Sequence, residues 1–138
     1  MPKVVPMLAY EDGNAAMDWL IRVFGFSERE RWTDDAGTLT HGELAVGDDG
    51  LVMLATPTPK YEGPAHHREH CAEAAAWSTV PYVIDGVLVE VDDLDAHLER
   101  ARAAGARILS EPEVVEGAGF RHYRAEDLEG HRWMFSGQ

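Results

Sequence analysis

Between Gly86 and Gly105 the chain switches from the period of a strand to that of a helix, and an earlier stretch makes the same switch. Alternation over Gly86 to Val91 sets Val87, Val89 and Val91 on one face of a strand and Gly86, Leu88 and Glu90 on the other. Next, Asp92 or Asp93 is placed to accept hydrogen bonds from the first free helical N–H groups. Leu94, Leu98 and Ala101 form an apolar stripe, and Gly105 supplies the left-handed residue that stops a helix. A shift of about eighty positions superposes Asp12 on Asp92, Ala16 on Ala96 and Gly25 on Gly105. A repeated supersecondary unit is the simplest account, and it restricts the chain to folds with two similar halves.

The flanking segments extend the repeat. Val4 to Tyr10, interrupted at Pro6, suits a strand at a sheet margin. Asn14 is a plausible helix cap, followed by Ala16, Met17, Leu20, Ile21 and Phe24 at helical spacing. Ser27 to Trp32, Thr38 to Val46 and Leu51 to Thr56 read as strands separated by the turn sequences DDAG and GDDG. After Gly105, strands are expected near Arg107 to Val115, Phe120 to Ala125 and His131 to Ser136. Each half is therefore βαβββ. The expected fold class is α+β: two βαβββ modules in tandem, forming a cup-shaped mixed sheet around a cleft. Residues 1–138 make one domain, with module one over 1–56, a connector over 57–85 and module two over 86–138. Prolines and glycines break the connector, although Arg68 to Trp77 has the composition of a single helix.

Charge and composition exclude several classes. Twelve Lys and Arg against 25 Asp and Glu give a formal net charge of -13, which repels a phosphate backbone or an anionic bilayer. Neither nucleic acid nor membrane is expected as a partner. Cys71 is the only cysteine, so no intrachain disulfide forms and a cytoplasmic location is the default. No stretch has the length of a membrane span, and the N-terminal residues lack the order of a signal peptide.

Each sheet covered by one helix leaves its other face for a ligand, and strand parity names the residues there. Leu88 and Glu90 face away from their helix if Val87, Val89 and Val91 face it. By the same rule His41 and Glu43 point into the cleft, and the eighty-residue shift carries them to Arg121 and Tyr123. Met53 and Met134 face inward on the outer strands, while Trp133 and Phe135 face the helices. Arg132 is inward, where Glu90 is its expected counter-charge. A one-residue slip inverts any of these assignments.

Two βαβββ modules, the FG that closes the first helix, the VDDLDAHLERARAAGA run from Val91 to Ala106 and the DLEGHRWMF ending from Asp127 to Phe135 together resemble the vicinal oxygen chelate superfamily. That superfamily holds glyoxalase I, extradiol dioxygenases, fosfomycin-resistance enzymes and bleomycin-resistance proteins. The resemblance implies a homodimer or a domain-swapped pair, and in the superfamily's enzymes a divalent metal held by His, Gln or Glu on the first and last strands of each module. This chain departs from that pattern. The corresponding positions hold Val5, Gly86, Met53 and Met134, none of which is a hard donor. The expectation is a protein that binds a small, partly apolar molecule in a metal-free cleft. His41, Glu43, Met53, Leu88, Glu90, Arg121, Tyr123 and Met134 are its ligand-binding candidates, and it has no cofactor. A divalent-metal-dependent lyase, isomerase or dioxygenase is the alternative, and a metal-independent enzyme using His41 with Glu43 a further one. His66, His67 and His70 suit surface imidazoles better than a metal site.

Overall fold

The computed structural model describes residues 4–114, 117 and 119–138, and these cluster into two compact units, Met1–Gly63 and Pro64–Gln138. Val115, the expected end of a strand, lies outside the described residues.

The first unit runs β1 (Met7–Ala9), α1 (Gly13–Phe24), β2 (Ser27–Thr33), β3 (Leu39–Val46) and β4 (Gly50–Ala55). Its sheet has the order β1-β4-β3-β2, with β1 parallel to β4 and the other pairs antiparallel. The cap of α1 is Asp12 rather than Asn14, its carboxylate accepting from the N–H of Ala15 at 3.1 Å. Gly25 closes the helix at φ 80°, a conformation that costs a residue without Cβ nothing. Met17, Leu20 and Val23 on α1 are fully buried, as is Leu44, and Val52 and Leu54 are almost so. The start of the connector belongs to this unit: Tyr61 donates to the carbonyl of Ala9, and the N–H of Gly63 donates to Glu11.

The second unit contains α2 (Pro64–Glu69), α3 (Ala72–Trp77), β5 (Gly86–Glu90), α4 (Leu94–Ala103), β6 (Arg107–Val114), β7 (Arg121–Glu126) and β8 (Arg132–Gly137). The sheet order is β5-β8-β7-β6, the topology of the first unit again. The single helix expected over Arg68 to Trp77 is instead two short ones broken at His70 and Cys71, where Cys71 takes the extended backbone of a helix start. Asp93 caps α4, accepting from the N–H of Ala96 at 3.0 Å, and Gly105 ends it at φ 91°. The tandem βαβββ architecture is therefore present.

Its internal register differs from the expected shift. Glu43 is the cross-strand partner of Met53, and Arg124 that of Met134, so corresponding strand positions lie 81 residues apart. The caps Asp12 and Asp93 are also 81 apart, whereas the closing glycines Gly25 and Gly105 are 80 apart, because α4 ends sooner after its cap.

Candidate functional site

The helix-free face of each sheet carries His41, Glu43, Met53, Leu88, Glu90 and Met134 of the candidate residues. On module one, Met7 pairs with Met53 across β1 and β4, and Glu43 lies beside Met53 on β3. Met7 is 79% exposed, an apolar side chain that the unit leaves open. His41 Nε2 is 2.7 Å from Glu43 Oε2, so the sequence-derived pair does meet, and Glu43 is only 8% exposed. Arg29 approaches the other oxygen of Glu43 at 3.5 Å. Parity in β3 alone missed Glu30, directly opposite Glu43, while Trp32, a candidate for the pocket rim, lies opposite His41 with ring centroids 4.9 Å apart. The register irregularity between Glu28 and Glu30 hid Glu30, since a bulge resets alternation.

On module two the pairings form three rows. Gly86, Arg132 and Glu126 make the first, Leu88, Met134 and Arg124 the second, and Glu90, Ser136 and His122 the third. Leu88 is 57% exposed beside Met134. Arg124 reaches the sulfur of Met134 at 3.4 Å and lies 5.4 Å from the ring centre of Tyr82. The Nδ1 of His122 is buried without a hydrogen-bond partner.

Three expectations need correction here. Tyr123 faces α4: its hydroxyl is 2.6 Å from His97 Nδ1, it stacks on Phe135, and burial pushes its pKa well above the ordinary value. Arg121 lies on that same side, holding both carboxylate oxygens of Asp95 at 3.1 and 2.9 Å. Those hydrogen bonds keep the Asp95 carboxyl below its usual range. The cause of both misplacements is the one-residue error in the repeat shift, which inverts a strand. The residues that correspond to His41 and Glu43 are His122 and Arg124. Arg132, third, pairs with Glu126 at 2.9 Å rather than with Glu90. Its remaining donors hold the carbonyls of Val80 and Ser78 at 3.1 and 2.9 Å. Burial raises the Glu126 pKa, but the hydrogen bonds of Arg68 and the charges of Arg68, Arg132 and Arg107 outweigh it, leaving this carboxyl below its ordinary value. Glu126, the centre of this cluster, carried no signal in the sequence beyond its parity.

The superfamily's metal does not fit its usual positions in this chain. Val5 precedes β1, Gly86 has no side chain, and Met53 and Met134 are thioethers whose neighbours on the parallel strands are Met7 and Leu88, with Glu43 and Arg124 on their other sides. Thioether and alkyl groups cannot replace the water shell of a hard divalent cation. Within the first unit one trio offers suitable donors: Glu30, His41 and Glu43 present ligand atoms within 4.8 Å of one another. His66 and His70 are ring neighbours, 5.6 Å apart, at α2. Among the described residues, no helix is long and apolar enough to cross a membrane.

Comparison with known proteins places these features in a family. The family model for the Glyoxalase/Bleomycin resistance protein/Dioxygenase superfamily matches residues 4–135. No curated protein matches the sequence. Among solved structures, TioX from Micromonospora sp. ML1 is 35% identical over 99% of this chain and 96% of its own, with a TM-score of 0.71. TnmS3, an antibiotic binding protein from Streptomyces sp. CB03234, is 17% identical over 99% of this chain and 96% of its own, with a TM-score of 0.64. The fosfomycin resistance protein FosX from Listeria monocytogenes is 11% identical over 100% of this chain and 93% of its own, with a TM-score of 0.65. The two more distant likenesses show the fold alone. With its two βαβββ units and a family match spanning nearly its whole length, the chain belongs to the glyoxalase/bleomycin resistance/dioxygenase superfamily.

Proposed function

We propose that the chain is a small-molecule-binding protein that takes a partly apolar organic ligand on the helix-free faces of its sheets, with no metal at the superfamily's usual positions. The observation that carries this reading is the apolar surface around two of those positions, Met53 and Met134, which pair with Met7 in one module and Leu88 in the other, Met7 and Leu88 being largely exposed. Methionine adapts its shape to flat or irregular ligands, and exposed apolar strips on an otherwise acidic protein favour burial against one. His41, Glu43 and Glu90 border the strips and supply polar contacts. The antibiotic-binding relative supports an antibiotic-sized ligand by analogy of fold. The same reading takes the chain as a cytoplasmic homodimer, supported by its single cysteine and by the superfamily resemblance.

A thermal-shift screen against a collection of natural-product antibiotics tests it. A ligand at a hundredfold excess over its Kd stabilises the native state by about 2.7 kcal/mol, which is a readable rise in Tm. Met134→Glu should remove that rise for any hit seated on module two. A library without a single hit would sink the reading.

The rival reading, a metal-dependent lyase, isomerase or dioxygenase, is favoured by one observation, the Glu30, His41 and Glu43 trio. Elemental analysis after purification without chelator decides it. Stoichiometric metal that disappears in His41→Ala would replace the metal-free reading with this one.

A further inference from the structure

Among the described residues of module two, a buried imidazole nitrogen without a hydrogen-bond partner and a guanidinium without a carboxylate lie two residues apart on the face already assigned to ligand. His122 is 9% exposed, and among the described residues its Nδ1 is the buried side-chain nitrogen or oxygen without a hydrogen-bond partner. An unpaired buried polar atom costs roughly 1–3 kcal/mol, so its persistence calls for a partner that the chain itself does not provide. Two residues along β7, on the same face, Arg124 meets no carboxylate among the described residues. Its guanidinium contacts only the sulfur of Met134 and the ring of Tyr82. The contrast with its neighbours is sharp: Arg68, Arg107 and Arg132 all converge on Glu126, and Arg121 is held by Asp95.

The surroundings define what would satisfy both groups. The row through Arg124 is Leu88 and Met134, with Ser110 opposite on β6, and it contains no acidic residue. Acid enters in the two adjoining rows: Glu90 and Glu113 flank Ser136 and His122 in one, and Glu126, engaged by Arg68, Arg107 and Arg132, lies in the other. Tyr82 is 71% exposed beside the guanidinium, an aromatic surface open for stacking. We propose that His122 and Arg124 form an oxyanion-recognition site for an aryl carboxylate or phenolate, whose ring lies on Met134 and Leu88. Arg124 supplies the charge-assisted fork and Nδ1–H of His122 a second donor. This rests on the ligand-binding reading above and adds to it the charge and the polar group of the ligand.

The test uses the full chain with labelled histidine and two probes of one shape, 2-naphthoate and uncharged 2-naphthamide, followed by calorimetry and by the imidazole nitrogen resonances. Naphthoate should bind roughly tenfold more tightly than the amide, the discrimination expected of a charged hydrogen-bonding partner. Arg124→Gln should abolish the preference, and Arg124→Lys should restore part of it. Arg121→Gln, on the helix side of the sheet, should leave it unchanged. The His122 ring resonances should move on adding naphthoate and not on adding the amide. Equal affinity for the two probes, or a preference that survives Arg124→Gln, overturns the anionic class while leaving the binding face intact. Binding of neither probe at millimolar concentration also overturns the site, and the antibiotic screen reports separately on whether the face binds anything.

Discussion

The helix-free faces of the two modules share a backbone plan and carry opposite charge at its centre. Where β3 presents Glu43 beside Met53, β7 presents Arg124 beside Met134. On the helix-facing sides the halves agree instead: Val52 and Leu54 correspond to Trp133 and Phe135, apolar and buried in both. Packing against a helix restricts a strand to apolar residues in either copy, while the opposite face answers to the ligand and is free to differ. Glu43 of module one is also locally satisfied by His41 and Arg29, whereas among the described residues His122 Nδ1 has no hydrogen-bond partner and Arg124 no carboxylate.

This contrast is most easily broken at the carboxylates. Glu126→Gln should destabilise the second unit by about 3 kcal/mol, because it leaves Arg132, itself buried, beside a neutral partner. Chemical denaturation followed by Trp fluorescence measures it. The pH dependence has a fixed sign. The folded-state pKa of Glu126 is lowered, so its contribution is present above the ordinary glutamate value of about 4.3 and is lost as pH falls below it. Glu126→Gln should flatten that acid limb. A smaller effect tests the shared part of the plan. Asp12→Ala and Asp93→Ala each remove one equivalent cap bond and should cost about 1 kcal/mol apiece, with similar values confirming the 81-residue correspondence. Least of all, Glu43→Gln without added metal should change stability by no more than about 0.5 kcal/mol, since a Gln amide keeps a bond to His41 and reduces repulsion with Glu30. A large loss there would make the module-one pair structural and narrow the contrast.

The repeat itself was legible because glycine stops, aspartate caps and apolar periods are local signals. Gly25 and Gly105 could be read directly, whereas the first cap was read at Asn14 and lies at Asp12, and alternation put Met53, Leu88 and Met134 on the helix-free face. Arg121 and Tyr123 went wrong because the shift was anchored on the helix ends. α4 is shorter than α1, so a count made there slips by one residue in the following strands. Glu30 was hidden by a bulge, and Glu126 with its three arginines by distance in sequence: Arg68 is 58 residues away. Cross-strand neighbours of this kind follow from topology and register, which composition does not encode.

The reach of Arg132 to the carbonyls of Ser78 and Val80 has a consequence for how this chain tolerates change in length. The segment after α3 has no strand or helix of its own before β5, yet two of its carbonyls are docked on a guanidinium buried at the sheet. It is therefore a fitted part of module two with a required span. Residues inserted between Val80 and Gly86 can loop out without disturbing the docking, while residues inserted between Trp77 and Val80 displace both carbonyls at once.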